Sequence, residues 1–226
     1  MKRLQGIFAA VVLCAFFATL AHAQMGMNFF KKPAMASMFR PVVGNGAVYQ
    51  STSSGSAPQR TMEMLVVGKD MADGKEAYWL EFSIPFNQGT MYSKVLVTKD
   101  DFQLHRTVFQ MPGQPAMEMP SNFSQRAAAS ENIEDNLKKW AQVGTESVTV
   151  PAGTFACTHW KKNDGTSDVW SNDTISPFSM VKSVTSGSTE VLVKILTGAQ
   201  DHITGPVQPF NPMVFQQLAG AARQNQ

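Results

Sequence analysis

The sequence predicts an α+β domain in which helices cover one side of an antiparallel sheet. Short runs rich in β-branched and aromatic residues recur along most of the chain, and turn signals separate them. Asp73-Gly74 and Asp164-Gly165 each lie between two such runs, where Asp-Gly favours a two-residue hairpin. The segment 124–140 has the composition of a helix. Numerous strands and a few helices, without a linker or a repeat of fixed period, indicate one domain.

The first 23 residues have the pattern of a cleaved secretory signal peptide. Lys2 and Arg3 precede an almost entirely apolar run, 7–20, and residues 21–23 read Ala-His-Ala, a small-x-small cleavage site. The apolar run is short for a membrane span, and no later segment is long and apolar enough to form one. We therefore expect a periplasmic or secreted protein whose single domain is 24–226.

Charge and cysteine content exclude several classes of function. Lys2 and Arg3 belong to the leader, and the whole sequence has 19 basic and 17 acidic residues. Without the leader both numbers are 17, so the exported chain carries no formal net charge. Such a chain has no basic field for nucleic acid. Cys14 also lies in the leader, which leaves Cys157 alone and excludes an internal disulfide.

The predicted strands fall into two groups. Residues 61–84 form one hairpin, and 90–111 form a second around Lys99-Asp100-Asp101. Three prolines in 112–123 exclude a central strand or a helix there. The second group of strands extends from 146 to 205, with turns between them.

Two helices are predicted. In 124–140, acidic residues come before Lys138 and Lys139, an order that suits the helix dipole. A short amphipathic helix is expected over 211–223.

One stretch carries a resemblance to a known family. A valine-rich strand leads into Pro-Ala-Gly-Thr-Phe over 148–155, and a hairpin follows. The next strand ends in Trp170, then come Pro177 and a strand that begins at 181–182, Val-Lys. This phrase, within 146–194, resembles exported bacterial proteins of a DUF3108-like kind. Such proteins are similar in outline to the LolA/LppX group of periplasmic carriers.

The resemblance implies a strongly curved antiparallel sheet, an incomplete barrel, with an apolar cavity for acyl chains between the sheet and its helices. Residues 178–180 depart from the phrase, which has a glycine there. The phrase contains no catalytic signature, and it transfers no binding residue.

Together with the Met- and Phe-rich segments, the resemblance predicts a non-enzymatic carrier or sensor without a cofactor. Its partner is an apolar small molecule, a lipid or a lipoprotein acyl chain; an envelope protein is a second class of partner. Methionine suits such a lining because its side chain is flexible and polarizable. The candidate lining residues are Met62, Met64, Trp79, Phe82, Phe109, Met117, Met119 and Trp140.

Two alternatives remain open at this point. Thioether sulfur favours Cu(I), so a Met-rich periplasmic copper protein is one of them, although no histidine lies in its methionine clusters. A ligand-free envelope assembly module is the other. The candidate copper ligands are Met25, Met27, Met35, Met38, Met111, Met117 and Met119.

Cys157 and His159 form the one pair that suggests other chemistry. On a strand they share a face with Phe155, and a Cys–His pair can bind metal or activate a thiol. A cysteine in the middle of a strand lacks the helix N-terminus or cationic neighbours that lower a thiol pKa, so we favour a place in the sheet wall. The sequence has no phosphate loop, HExxH or GxSxG motif, and an enzyme is not predicted.

Overall fold

The computed structural model describes residues 38–53, 59–86, 89–120 and 138–212. The chain divides into two compact units, and every described strand belongs to the one from Pro33 to Pro209. Within the described ranges the strands are β1 Gly46–Ser53, β2 Arg60–Ala72, β3 Lys75–Phe86, β4 Gly89–Thr98, β5 Leu104–Gln110, β6 Met117–Glu118, β7 Trp140–Val150, β8 Gly153–Lys162, β9 Ser167–Ser171, β10 Met180–Thr185, β11 Ser188–Leu196 and β12 Gln208–Pro209.

These strands form one open sheet in the order β12-β6-β5-β4-β3-β2-β1-β11-β10-β9-β8-β7. Neighbouring strands are antiparallel, apart from β12, which runs parallel to β6. Most neighbours are consecutive hairpins. The long-range pairing of β1 with β11 joins the N-terminal strands to the C-terminal ones, with Gly46 opposite Leu196 and Ser53 opposite Ser188.

The predicted α+β class is wrong. The regular secondary structure of the described residues is nearly all strand, and across 38–53, 59–86, 89–120 and 138–212 no helix covers a side of the sheet. The end of the predicted helix 124–140 is a turn at 138–139 followed by β7, because β7 pairs with β8 along its whole length. Sheet hydrogen bonding prevails there over the favourable order of charges.

Several predicted elements lie outside the described residues. They are the leader 1–23, the part of the first helix before residue 138, and the second helix beyond residue 212. No helix in the part of the chain that the structure describes is long and apolar enough to cross a membrane.

The predicted hairpin at Asp73-Gly74 is confirmed. Ala72 lies opposite Lys75, so the loop between β2 and β3 has two residues. Both have positive φ, 50° for Asp73 and 76° for Gly74, as a type I′ turn requires. Aspartate and glycine tolerate this region better than other residues, so this pair sets the register of β2 against β3 from the turn to Gly68. Between Gly68 and Val66 the register shifts by one residue.

The register sorts the side chains of β2–β6 onto two faces. Met64 lies opposite Phe82, Phe82 opposite Ser93, Ser93 opposite Phe109, and Phe109 opposite Met117. Directly opposite residues point to the same side of a sheet. We call the side that carries these five residues the methionine face.

The opposite side of β3–β5 is crossed by the segment that connects β11 to β12, residues 197–207, which we call the strap. The Ala199 amide donates to the Gly44 carbonyl at 2.7 Å where the strap begins. Further along, Ile203 is only 3 % exposed and packs with Val108 and Ala116. The strap thus spans the sheet from β11 to its far edge, where β12 pairs with β6.

The other end of the sheet is curved. The Ala152 amide, in the turn between β7 and β8, donates to the Leu192 carbonyl of β11 at 3.3 Å. β8 and β11 are three strands apart in the sheet order, which in a flat sheet is a separation of about 14 Å. The tip of this hairpin therefore bends over β9 and β10.

Candidate ligand-binding face

The centre of the methionine face is a row of large apolar side chains. Met64, Phe82, Phe109 and Met117 are each no more than 6 % exposed. They come from four different strands and are placed side by side by the register, with Ser93 of β4 between the two phenylalanines. The row thus crosses five strands, and its four apolar side chains are buried.

Exposure rises toward one end of this face. Met62 lies two residues before Met64 on β2, and Ile84 lies two residues after Phe82 on β3, opposite Met91 of β4. These three side chains are half-buried, and so is Met111 just after β5. The apolar surface therefore continues to this end, where it is partly open to solvent.

The opposite end of the face is closed by aromatic rings. Phe39 lies 5.2 Å from Phe102, 5.4 Å from Phe178 and 6.2 Å from Tyr78, measured between ring centroids. Phe178 is fully buried, and Phe39 is 3 % exposed. The Ser179 hydroxyl holds the segment of Phe39 in place by donating to the Met38 carbonyl at 3.0 Å. The face thus has a closed aromatic end and a half-open methionine end.

Six of the eight predicted lining residues belong to this face or its continuation. Met119 follows Met117 by two residues, and its amide donates to the Thr107 carbonyl of β5 at 2.8 Å. The six are Met62, Met64, Phe82, Phe109, Met117 and Met119.

Trp79 and Trp140 are placed elsewhere. Trp79 lies on the strap side of β3, with Lys94 Nζ 5.5 Å and the Arg106 guanidinium 5.2 Å from its ring centroid. Residues three apart on a strand point to opposite sides, so the spacing of Trp79 and Phe82 in the sequence already indicates this placement. A selection of lining residues by composition alone does not use that spacing. Trp140 begins β7, at the far edge of the sheet, where its indole Nε1 is buried without a hydrogen-bond partner in the described residues.

The predicted copper ligands are only partly described. Met38 is buried at the closed end of the face, Met117 lies on β6, and Met111 and Met119 flank that short strand. Met25, Met27 and Met35 lie outside the described residues. In the described ranges, no three His, Cys, Asp or Glu side chains form a group that could hold a metal ion. The copper hypothesis stays a prediction.

Cys157 and His159 lie next to each other on one side of β8, but their surroundings differ. Cys157 is 1 % exposed and lies opposite Glu146 of β7. Burial raises the pKa of the Cys157 thiol, and the negative charge of Glu146 raises it further. A thiol held in its neutral form is a poor nucleophile and a poor metal ligand.

His159 is held by carboxylates of the two neighbouring strands. Its Nε2 lies 2.8 Å from Asp168 Oδ1, and its Nδ1 lies 3.1 Å from Glu146 Oε1. The ring stacks on Trp170 at 4.4 Å between centroids, and Lys182 Nζ lies 4.8 Å from the same indole. These cross-strand contacts bind β7, β8, β9 and β10 together.

A second polar cluster fixes the strap. Glu81 is fully buried on β3, and its carboxylate accepts a hydrogen bond from the His202 amide at 3.1 Å. Lys94 of β4 pairs with Asp201 at 2.5 Å and donates to the Ile203 carbonyl at 3.1 Å. Burial raises the pKa of Glu81. The one sequence signal for this cluster is a glutamate inside the apolar run of β3.

Comparisons with known proteins give distant structural likenesses. No family model matches the chain, and no curated protein matches it. A Parabacteroides distasonis protein hypothesised to be a lipoprotein has a TM-score of 0.36 and 14% identity, over 70% of this chain and 97% of that one. A Bacteroides fragilis protein with a YmcC-like fold, hypothesised to be exported, has the same TM-score and identity, over 70% and 98%. MucB has a TM-score of 0.38 and 10% identity, over 74% and 57%. Likeness of this degree assigns neither a fold nor a function.

Proposed function

We propose that the protein is a non-enzymatic binding or carrier protein of the cell envelope that takes up an apolar ligand, a lipid or an acyl chain, on its methionine face. The observation that carries this proposal is the gradient along that face, from the closed aromatic end at Phe39 and Phe178 to the half-buried methionines. Ligand sites of this class combine a preformed apolar wall with one open end.

The residue types at the open end suit this role. Met62, Met91 and Met111 have unbranched, polarizable side chains that adapt to ligands of different shape at little cost. The interior row adds Phe82 and Phe109, which supply large apolar area for an alkyl chain. The leader that the sequence predicts at 1–23 supports an envelope location, where acyl chains are available as ligands.

A binding titration tests the proposal. Delipidated protein is titrated with a fluorescent fatty-acid analogue, and we expect saturable binding. Met62→Lys places a charge at the open end of the face and weakens binding by about tenfold, because the ammonium must be desolvated against the ligand.

Met71→Lys is the matched control. Met71 is a methionine on the same strand, 60 % exposed, at the turn beside Asp73. We expect this variant to bind as the unmodified chain does. Saturable uptake that Met62→Lys leaves unchanged would move the site away from the methionine face, and no uptake at all would refute the carrier role.

A further inference from the structure

A polar row of side chains borders the open end of the methionine face. Ser183 of β10 lies opposite Glu190 of β11, Glu190 opposite Ser51 of β1, and Ser51 opposite Arg60 of β2. Directly opposite residues share a side of the sheet. Because Arg60 precedes Met62 by two residues, the row lies on the same side as the methionines, one step beyond them.

This row runs from the interior to the surface. Ser183 is 2 % exposed and Glu190 9 %, whereas Ser51 is half-buried and Arg60 is exposed. The Ser51 hydroxyl lies 3.0 Å from that of Ser188, which extends the polar surface outward. An apolar face bordered by a few polar groups at its open end is suited to an amphiphile, whose chain and head need different surroundings.

Tyr49 lies opposite Met62, next to the polar row on the same side of the sheet, and its phenol stays neutral. Burial raises the pKa of its phenol, and the negative charge of Glu190 adds to this. The hydroxyl donates to the Met180 carbonyl at 2.9 Å. The formal charges in the row are therefore those of Glu190 and Arg60, one of each sign.

Resting on the proposed function, we infer that the ligand is a zwitterionic phospholipid whose ammonium group faces Glu190 and whose phosphate faces Arg60. The two residues flank Ser51, so their Cα atoms are about two strand spacings, or 10 Å, apart. Glutamate and arginine side chains are long enough to extend from these two positions toward one lipid head. The ammonium and phosphate of such a head are only a few bonds apart. Guanidinium groups bind phosphate through paired hydrogen bonds, and a carboxylate is the matching partner of an ammonium.

The test compares two fluorescent phospholipids that have the same acyl chains and different heads. One carries the zwitterionic phosphatidylethanolamine head and the other the anionic phosphatidylglycerol head. We expect the full chain to bind the zwitterionic lipid about tenfold more tightly, the change that one charge-assisted hydrogen bond produces. Glu190→Gln removes this preference, and Arg60→Gln weakens the binding of both lipids.

Glu63→Gln is the matched control. Glu63 lies on β2 between Met62 and Met64, so its carboxylate points to the opposite side of the sheet, where the Ser83 hydroxyl donates to it at 3.2 Å. This variant loses one carboxylate and keeps the preference. Since Arg60 and Glu190 also have other contacts within the protein, the quantity to compare is the ratio of the two lipid affinities in each variant.

The possible results separate the headgroup inference from the carrier role. Equal affinity for both heads, a preference for the anionic head, or a preference that Glu190→Gln retains would overturn the inference, while uptake of both lipids would still support a carrier. If the chain takes up neither phospholipid and does not bind the fatty-acid analogue, both the carrier role and the headgroup inference are refuted.

Discussion

His202 contacts the carboxylate of Glu81 through two of its nitrogen atoms, although the two residues are 121 positions apart in the sequence. The His202 amide donates to one oxygen at 3.1 Å, and the ring Nδ1 lies 2.6 Å from the other. Tyr92 stacks on the same imidazole at 4.5 Å between ring centroids. The strap is thus joined to β3 and β4 at the back of the strands whose other side carries Phe82 and Ser93.

Replacing Glu81 with glutamine tests how burial acts on this carboxyl group. Burial raises its pKa, so the folded chain holds the proton more tightly than the unfolded chain does. Its contribution to the free energy of unfolding is therefore present at low pH and is lost as pH rises from the ordinary carboxyl value through the raised one.

Glu81→Gln has no proton to lose and lacks this dependence. We expect the stability advantage of the unmodified chain over the variant to shrink as the pH rises above the ordinary carboxyl range. Urea titrations at a series of pH values measure it. An advantage that grows with pH would mean that His202 stabilises the carboxylate more than burial destabilises it.

Truncating Ile203 tests whether the strap is part of the folded core. Ile203 is buried against Val108 and Ala116, with Trp79 and Tyr92 packed beside them. Ile203→Ala removes buried apolar atoms and leaves a cavity, and we expect a loss of about 2–4 kcal/mol in the free energy of unfolding. Chemical denaturation measures this loss.

Val207→Ala is the control for the strap, because Val207 belongs to the same segment and is 39 % exposed. It should change stability by no more than about 0.5 kcal/mol. Similar small effects for both substitutions would show that the strap is only loosely attached and that the sheet holds without it.

Local features of the sequence predicted the strands and their hairpins well. The Asp73-Gly74 turn and the apolar runs on either side of it are sufficient for β2 and β3, since alternation and turn chemistry act over a few residues. The grouping of Met64, Phe82, Phe109 and Met117 on one face depends in addition on register shifts within the β2–β3 and β4–β5 pairings, which the turns do not indicate.

Long-range relationships could not be predicted from these local features. Nothing near β1 indicates that it pairs with β11, and without this pairing Glu190 would not lie beside Ser51. The partner of Glu81 is equally remote in sequence. The helix expected up to Trp140 was wrong at its described end because charge order is a weak preference and full pairing with β8 outweighs it.

Cys157 should resist modification in the folded protein. Its side chain is 1 % exposed, and burial together with Glu146 raises the pKa of the thiol, so little thiolate is present and reagents do not reach it. We expect iodoacetamide to label Cys157 at least about a hundredfold more slowly in the native chain than in urea, since reaction requires transient opening. Mass spectrometry of the peptide that contains Cys157 gives the rate. Labelling at a comparable rate in both states would mean that this part of β8 opens readily, and it would return the Cys157–His159 pair to consideration as a reactive site.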